Sequence, residues 1–204
     1  MTIQEQSDNA GNGRPGDHRR GRLFVVSAPS GAGKTTLCSG LLDRLPDMVR
    51  SVSYTTRGPR PGEQHGLDYY FIDEEKFRAG IEAGRWVEWA QVHGNYYGTA
   101  ADAIEDKLSA GIDMVLNIDV QGADQIYARY PDSVRIFIMP PSTDELRRRL
   151  ELRGGDNQAA MAIRMAAAEK EMARRKDFDH VLVNDDLPGA TAELIAIVSR
   201  YRVP

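Results

Sequence analysis

Apolar residues gather into short runs separated by helix-like stretches along most of this chain. The runs fall at 23–27, 113–118, 134–139 and 180–183 and are rich in Val, Ile, Leu and Phe. Behind each, apolar positions recur every three to four residues, the mark of a helix with one buried face. Runs apolar at nearly every position, alternating with helices, predict strands covered on both sides: a parallel sheet flanked by helices, an α/β fold. Pro140 and Pro141 close the third run, and Ser142 with Glu145 makes the S-x-x-E pattern of a capping box, predicting a helix start there.

Two stretches break the alternation. Residues 51–98 are rich in Tyr, Gly, Pro and Arg and predict a small mixed α+β insertion, with a helix opening at Asp73. Residues 153–157, Arg-Gly-Gly-Asp-Asn, interrupt two Arg-bearing helical segments with turn-forming backbone, as at the tip of a helical lid spanning about 147–168. Residues 1–20 are polar and aperiodic and read as a disordered leader. The remainder, 21–204, reads as one domain whose core is 21–50 and 99–204.

Composition narrows the class. Hydrophobic residues at 41% and charged residues at 27% give the balance of a folding globular chain. No apolar run nears the roughly 20 residues of a bilayer crossing, and the first twenty residues lack a signal-peptide segment. The expected address is the cytoplasm, with no membrane partner. A net charge of -4 argues against nucleic acid as a partner, because that binding relies on a basic surface. One cysteine, Cys38, excludes an internal disulfide, and His18, His65, His93 and His180 are too scattered for a zinc motif. An anion site must then be local. Arg147, Arg148, Arg149 and Arg153 crowd together with Arg164 beyond, although such a cluster taken alone is usually a solvated, ion-paired helix face.

Candidate chemistry begins where the first apolar run ends. Leu23 to Ser27 leads into Ala28-Pro29-Ser30-Gly31-Ala32-Gly33-Lys34-Thr35-Thr36 and then an amphipathic helix. Strand, Gly-rich turn, Lys-Thr and helix in that order make a Walker A phosphate loop, and those residues the candidate ATP contacts. Glycines let N–H groups turn toward phosphate oxygens, and the helix N-terminus adds partial positive charge. Lys34 reaches the β- and γ-phosphates, and Thr35 can ligate a Mg2+ ion carried by ATP. The general pattern begins with Gly where this chain has Ala28, so the first turn must tolerate a Cβ. A GTPase reads guanine with Asn-Lys-x-Asp, which is absent here and so favours a kinase.

Further stretches carry a family resemblance. They are Ser51-Val-Ser-Tyr-Thr-Thr-Arg-Gly-Pro-Arg-Pro-Gly-Glu63, His65-Gly-Leu-Asp-Tyr-Tyr-Phe71 and Val87 to Gly98, then Asn117-Ile-Asp-Val-Gln-Gly122 and Val183-Asn-Asp-Asp186. In this order they resemble the guanylate kinases over nearly everything from about residue 22 onward. The resemblance implies a P-loop nucleoside-monophosphate-kinase-like fold, ATP and GMP as substrates, Mg2+ as cofactor, and direct in-line phosphoryl transfer yielding ADP and GDP. It also implies that Arg57, Arg60, Tyr69 and Tyr97 hold the GMP phosphate, while Ser53, Glu88, Thr99 and Asp119 meet guanine. Guanidinium forks and phenol hydroxyls suit a phosphate. A carboxylate at Glu88 suits the N1–H and 2-amino donors that guanine has and adenine lacks. Lys34, Arg57, Arg153 and Arg164 are the implied catalytic set, the last two as lid arginines, with Arg149 a weaker candidate. Asn184 is implied near the adenine. Phe71, Trp86 and Trp89 are expected to pack the insertion rather than stack on a base. The family's Asp-x-Asp is here Asn117-Ile-Asp119, so the role of the first carboxylate does not carry over. Two rivals remain at this point: a scaffold module with the same fold, and a kinase for a ribose bisphosphate. Association into a homo-oligomer is left open.

Overall fold

The computed structural model describes residues 19–92, 94–153 and 157–202. Its main sheet holds β1 (Leu23–Ser27), β2 (Val49–Arg50), β7 (Met114–Asn117), β8 (Val134–Met139) and β9 (His180–Val183). All pair in parallel, in the order β2-β7-β1-β8-β9. Each of the four apolar runs is a strand of this sheet; β2 adds an edge of 2 residues, too short to show any period. Between β2 and β7 the chain builds a second, mixed sheet from β3 (Tyr54–Thr55), β4 (Tyr70–Phe71), β5 (Trp86–Val92) and β6 (Asn95–Ala100), in the order β4-β3-β6-β5. This is the mixed insertion. Its last strand runs to Ala100, past the limit drawn at 98, because β6 keeps pairing with β5 as far as Trp86 opposite Ala100.

Strand β1 shows why the apolar runs lack polar gaps. Phe24 and Val26 enter one core with Leu37 and Leu41 of α1 (Lys34–Arg44) and Leu194 and Val198 of α7 (Leu187–Arg202). Leu23 and Val25 enter the opposite core with Ile104 of α3 (Ala101–Ser109) and Ile126 of α4 (Val120–Arg129). Successive side chains point to opposite faces, so a strand covered twice must be apolar throughout. Burying each such side chain contributes about 1.5–3 kcal/mol. Cys38 packs in the first core, where burial pushes its thiol up to about 11.

The insertion has its own core around α2 (Glu74–Glu82). Asp73 caps that helix, its side chain accepting from the Lys76 amide at 2.7 Å. Phe77 stacks on Trp86 with ring centroids 4.5 Å apart, and the Trp86 indole donates to the Phe77 carbonyl at 3.0 Å. Gln125 of α4 ties the insertion to the main body: it accepts from the Trp89 amide at 3.1 Å and donates to the Trp89 carbonyl at 2.9 Å.

The lid region is the helix pair α5 (Thr143–Arg153) and α6 (Gln158–Ala173), whose facing sides bury Leu146, Leu150, Met161 and Met165. Only half of the predicted capping box forms. Ser142 Oγ accepts from the Glu145 amide at 3.1 Å, but the Glu145 carboxylate takes Arg148 and Arg149 at 2.7–2.8 Å instead of turning back. Charge-assisted bonds are stronger than a neutral amide contact, and they draw the Glu145 carboxyl down to about 2. Between the helices, 154–156 of the predicted tip lie outside the described residues.

Residues 1–18 of the predicted leader also lie outside the described residues, while Arg19 and Arg20 are placed by ion pairs. Asp113, 2% exposed, gathers both ends of the domain. It accepts from Arg19 Nη2 at 3.0 and 3.1 Å, from the Arg22 amide at 2.7 Å and from Arg202 Nε at 2.6 Å. Arg202 also pairs with Asp47. Burial pushes the Asp113 carboxyl up, yet the bonds from Arg19, Arg22 and Arg202 outweigh it and hold it below the usual range. A depressed folded value means the stabilisation is present above the unfolded value near pH 4 and is lost as pH falls through the folded value. Asp113→Ala is expected to cost about 3 kcal/mol at pH 7, by leaving Arg19 and the Arg22 amide without this acceptor and Arg202 with Asp47 alone. That corresponds to roughly 10 °C in a melting experiment, with the gap to the parent protein closing below about pH 4.

Candidate active site

The phosphate loop leaves β1 at Ala28 and ends where α1 begins at Lys34. Ala28 and Ala32 send their methyls into the core beneath it. Gly31 and Gly33 both adopt a φ of 93°, which L side chains resist, and a Cβ on Gly33 would stand 2.3 Å from Asn184 Nδ2. Asn184 is 6% exposed and donates that Nδ2 to the Ala32 carbonyl at 2.8 Å. Its own carbonyl accepts from Arg149 Nη2 at 3.0 Å. The residue expected near the adenine therefore braces the loop from behind, and Arg149 is engaged on that brace.

Lys34 Nζ donates to the Ile118 carbonyl at 2.6 Å, at the point where β7 passes into α4. Burial lowers the pKa of this ammonium, and the Asp119 carboxylate is the chief charge opposing the shift. Asp119 caps α4, its Oδ1 accepting from the Gly122 amide at 2.8 Å. Asn117, at the end of β7, brings its Nδ2 to 3.4 Å from Thr35 Oγ1.

A cavity of about 410 Å3 runs from this loop to the second sheet. On the loop side it is bordered by Ala28, Pro29, Ser30, Gly31, Gly33, Lys34 and Thr35. The far side is bordered by Ser53, Arg57, Arg60, Tyr69, Glu88 and Tyr97, and Asn117 and Asp119 lie between. The expected donor and acceptor residues thus meet across one space. Arg57 lies 5.5 Å from the Tyr69 ring centroid, Tyr69 and Tyr97 are 6.0 Å apart edge to face, and Arg60 is exposed at the rim.

Glu88 is the buried acid of this cavity, 5% exposed. Thr99, fully buried, donates its hydroxyl to Glu88 Oε1 at 2.6 Å and lies 3.5 Å from Ser53 Oγ. Burial pushes the Glu88 carboxyl up to about 7, against the Thr99 bond and with the help of the Asp119 charge. The first turn of α4 makes room for it, since a Cβ on Gly122 would come within 2.9 Å of Glu88 Oε2.

Thr99 does not border the cavity and acts on it through Glu88. Ala32 and Thr36 do not border it either, the first because it is buried and the second because it is exposed on α1. Arg153 ends α5, and its side chain lies outside the described residues. Arg164, half-buried on α6, does not border the cavity. Two carboxylates that do border it were not expected from the sequence: Glu63 and Glu171. Glu63 pairs with Arg57 at 2.9 Å. Glu171 sits seven residues after Arg164, hence on the same stripe of α6. Its carboxyl is raised by burial, opposed by Lys34 and by a hydrogen bond from the Ser30 amide. That helical spacing was the available signal.

The model of a protein family described as guanylate kinase matches residues 20–201. The chain belongs to the guanylate kinase family. A guanylate kinase of Shewanella sp. strain MR-7 is 53% identical over 185 residues, covering 90% of this chain and 89% of the relative. One from Geobacter metallireducens is 49% identical over 184 residues, covering 90% and 91%. A crystal structure of guanylate kinase from Anaplasma phagocytophilum superimposes with a TM-score of 0.75 at 34% identity, covering 91% of this chain and 88% of that one. As a guanylate kinase, the chain is an enzyme of ATP-dependent GMP phosphorylation to GDP. The scaffold and ribose bisphosphate readings give way to these guanylate kinase matches.

Proposed function

We propose that the cavity between the phosphate loop and the second sheet is where ATP hands its γ-phosphoryl group directly to GMP. The observation that carries this reading is the cavity's polarity: a buried acceptor, Glu88, and a phosphate-type cluster, Arg57 with Tyr69 and Tyr97, stand opposite Lys34. Guanine donates its N1–H and 2-amino group to ionised Glu88, with Ser53 and Asp119 beside it. Arg57, Arg60, Tyr69 and Tyr97 hold the GMP phosphate so that one of its oxygens faces the donor. Ser30, Gly31, Gly33, Lys34 and Thr35 hold the triphosphate. Transfer then requires in-line placement and charge compensation rather than a covalent intermediate.

The residues also fit a Mg2+ ion that arrives with ATP. Thr35 offers one hydroxyl, and among the described residues no cluster of three or more His, Cys, Asp or Glu could cage a metal alone. Mg2+ keeps most of its water and phosphate ligands, so one hydroxyl suffices. Bound there, it would neutralise charge on the transferring oxygens. We assign 21–50 and 101–204 as the frame, 51–100 as the part that closes over GMP, and 147–168 as the lid that brings Arg153 and Arg164 to the γ-phosphoryl. Arg164 lies about 10 Å along α6 from Glu171, which borders the cavity, so lid movement is needed to bring it in. We place the enzyme in the cytoplasm; no described helix is long and apolar enough to cross a membrane.

The test is ADP production from Mg-ATP with GMP, dGMP, AMP, CMP, UMP or ribose 1,5-bisphosphate as acceptor. GMP should lead AMP by at least about a hundredfold in kcat/KM, because adenine leaves the buried Glu88 acceptor unpaired. The KM for GMP should also rise as pH falls below about 7, where Glu88 takes up a proton. The KM for ATP should not follow it. Equal use of AMP would overturn the assignment of Glu88.

A further inference from the structure

We propose that Glu63 is the positioning residue of the acceptor site, holding the Arg57 guanidinium ready for the GMP phosphate and staying in place when that phosphate binds. The inference rests on the reading of the cavity given above and adds a residue to it.

The geometry is a loop closed on itself. Arg57 Nη2 donates to both Glu63 oxygens, at 2.9 and 3.0 Å, and Arg57 Nη1 donates to the Gly58 carbonyl at 2.7 Å. The Arg60 amide donates to Glu63 Oε2 at 2.7 Å, and the Glu63 amide donates back to the Arg60 carbonyl at 3.0 Å. One carboxylate therefore fixes the side chain of the first arginine and the backbone of the second. The Arg57 and Glu63 side chains are only 15% and 19% exposed, so water weakens their pairing less than on an open surface. The Arg57 bond and the Arg60 amide hold the Glu63 carboxyl below the usual carboxylate range, so it stays ionised at working pH.

A carboxylate on a phosphate-binding arginine has two chemical readings. It could be a placeholder that the phosphate displaces, or a brace that remains. Displacement of the carboxylate would strip the Arg60 amide of its acceptor and remove one of the two hydrogen bonds that close the turn between Arg60 and Glu63. As a brace, Glu63 uses the Nη2 end of the fork and the Gly58 carbonyl takes one Nη1 hydrogen, which leaves Nε and the other Nη1 hydrogen for Tyr97 and an incoming oxygen. An arginine ordered beforehand has already lost the rotamer freedom that binding would otherwise take.

The experiment measures KM for GMP and for ATP, kcat, and calorimetric binding of GMP and of guanosine, for the parent protein, Glu63→Ala, Glu63→Gln and Arg57→Ala. Glu63→Ala should raise the KM for GMP about tenfold, the scale of a lost charged hydrogen bond, with the KM for ATP changed by less than about twofold. Glu63→Gln, which keeps an acceptor for the Arg60 amide, should fall between. Guanosine, lacking the phosphate, should bind all the proteins alike. GMP binding that is unchanged or tighter in Glu63→Ala would make Glu63 a placeholder and overturn the proposal. Guanosine binding lost together with GMP binding would reduce Glu63 to loop scaffolding and overturn it too. Arg57→Ala with an unaltered KM for GMP would instead overturn the acceptor-site reading itself, so the two failures are distinguishable.

Discussion

Lys34→Ala is expected to lower kcat about a thousandfold or more while the protein stays folded. The magnitude is that of removing one preorganised charge-stabilising donor from a phosphoryl or acyl transfer site, and a full ammonium sits at the upper end. The structure explains why folding should survive. The ammonium is buried at an energetic cost, its pKa lowered by desolvation, and it donates to the Ile118 carbonyl. Losing it removes one hydrogen bond and one buried charge, opposing effects that should leave stability within about 1 kcal/mol of the parent. Steady-state turnover beside a thermal melt makes the comparison. A loss smaller than tenfold, with the melt unchanged, would mean the triphosphate does not lie along this loop.

Glu88→Gln should reduce kcat/KM for GMP by about a hundredfold to a thousandfold and leave the KM for ATP near its original value. The substitution preserves size, and the amide oxygen can still accept from Thr99, as Glu88 Oε1 now does at 2.6 Å. Its NH2 group then faces the guanine donors, so an attraction becomes a clash of two N–H groups. A buried donor left unpaired, added to the lost charged bonds, accounts for the range. The variant should also lose the change in GMP affinity near pH 7 that the parent owes to Glu88. A phosphate monoester takes up its own proton near pH 6, so an inflection that persists in the variant would belong to the substrate and not to the protein.

Periodicity reported the main sheet well because β1, β7 and β8 are covered on both sides, and such strands can hardly be spelled otherwise; β9, at the edge, buries Leu182 and leaves Val181 and Val183 exposed. The Walker A loop was equally legible, since Gly33 at a positive φ and Lys34 at the head of α1 are chemical necessities at fixed spacing. The acceptor side was not legible from pattern alone. β3 and β4 are strands of 2 residues, below the length at which alternation can be seen, and around them the family resemblance supplied Ser53, Arg57, Arg60 and Tyr69. Side-chain partners were the least visible layer. Nothing local announces that Asn184 braces Ala32, because the contact spans 152 residues. The half-formed capping box at Ser142 shows a different limit: the motif named the helix start correctly, but Glu145 had arginines within reach and chose them.

Asp113 stands just before β7 begins and Asn117 ends it, so the ion cluster and the cavity lie at opposite ends of one short strand. Four residues of strand separate them by roughly 13 Å, and none of the cluster's hydrogen-bonding side chains borders the cavity. Perturbations that far apart, with no shared partner, add rather than multiply. The sheet thus gives this protein two independent dials. Sequence drift around Asp113 is expected to change how much heat the enzyme withstands, and drift around Asn117 to change the cavity it borders, so that selection can turn either without moving the other.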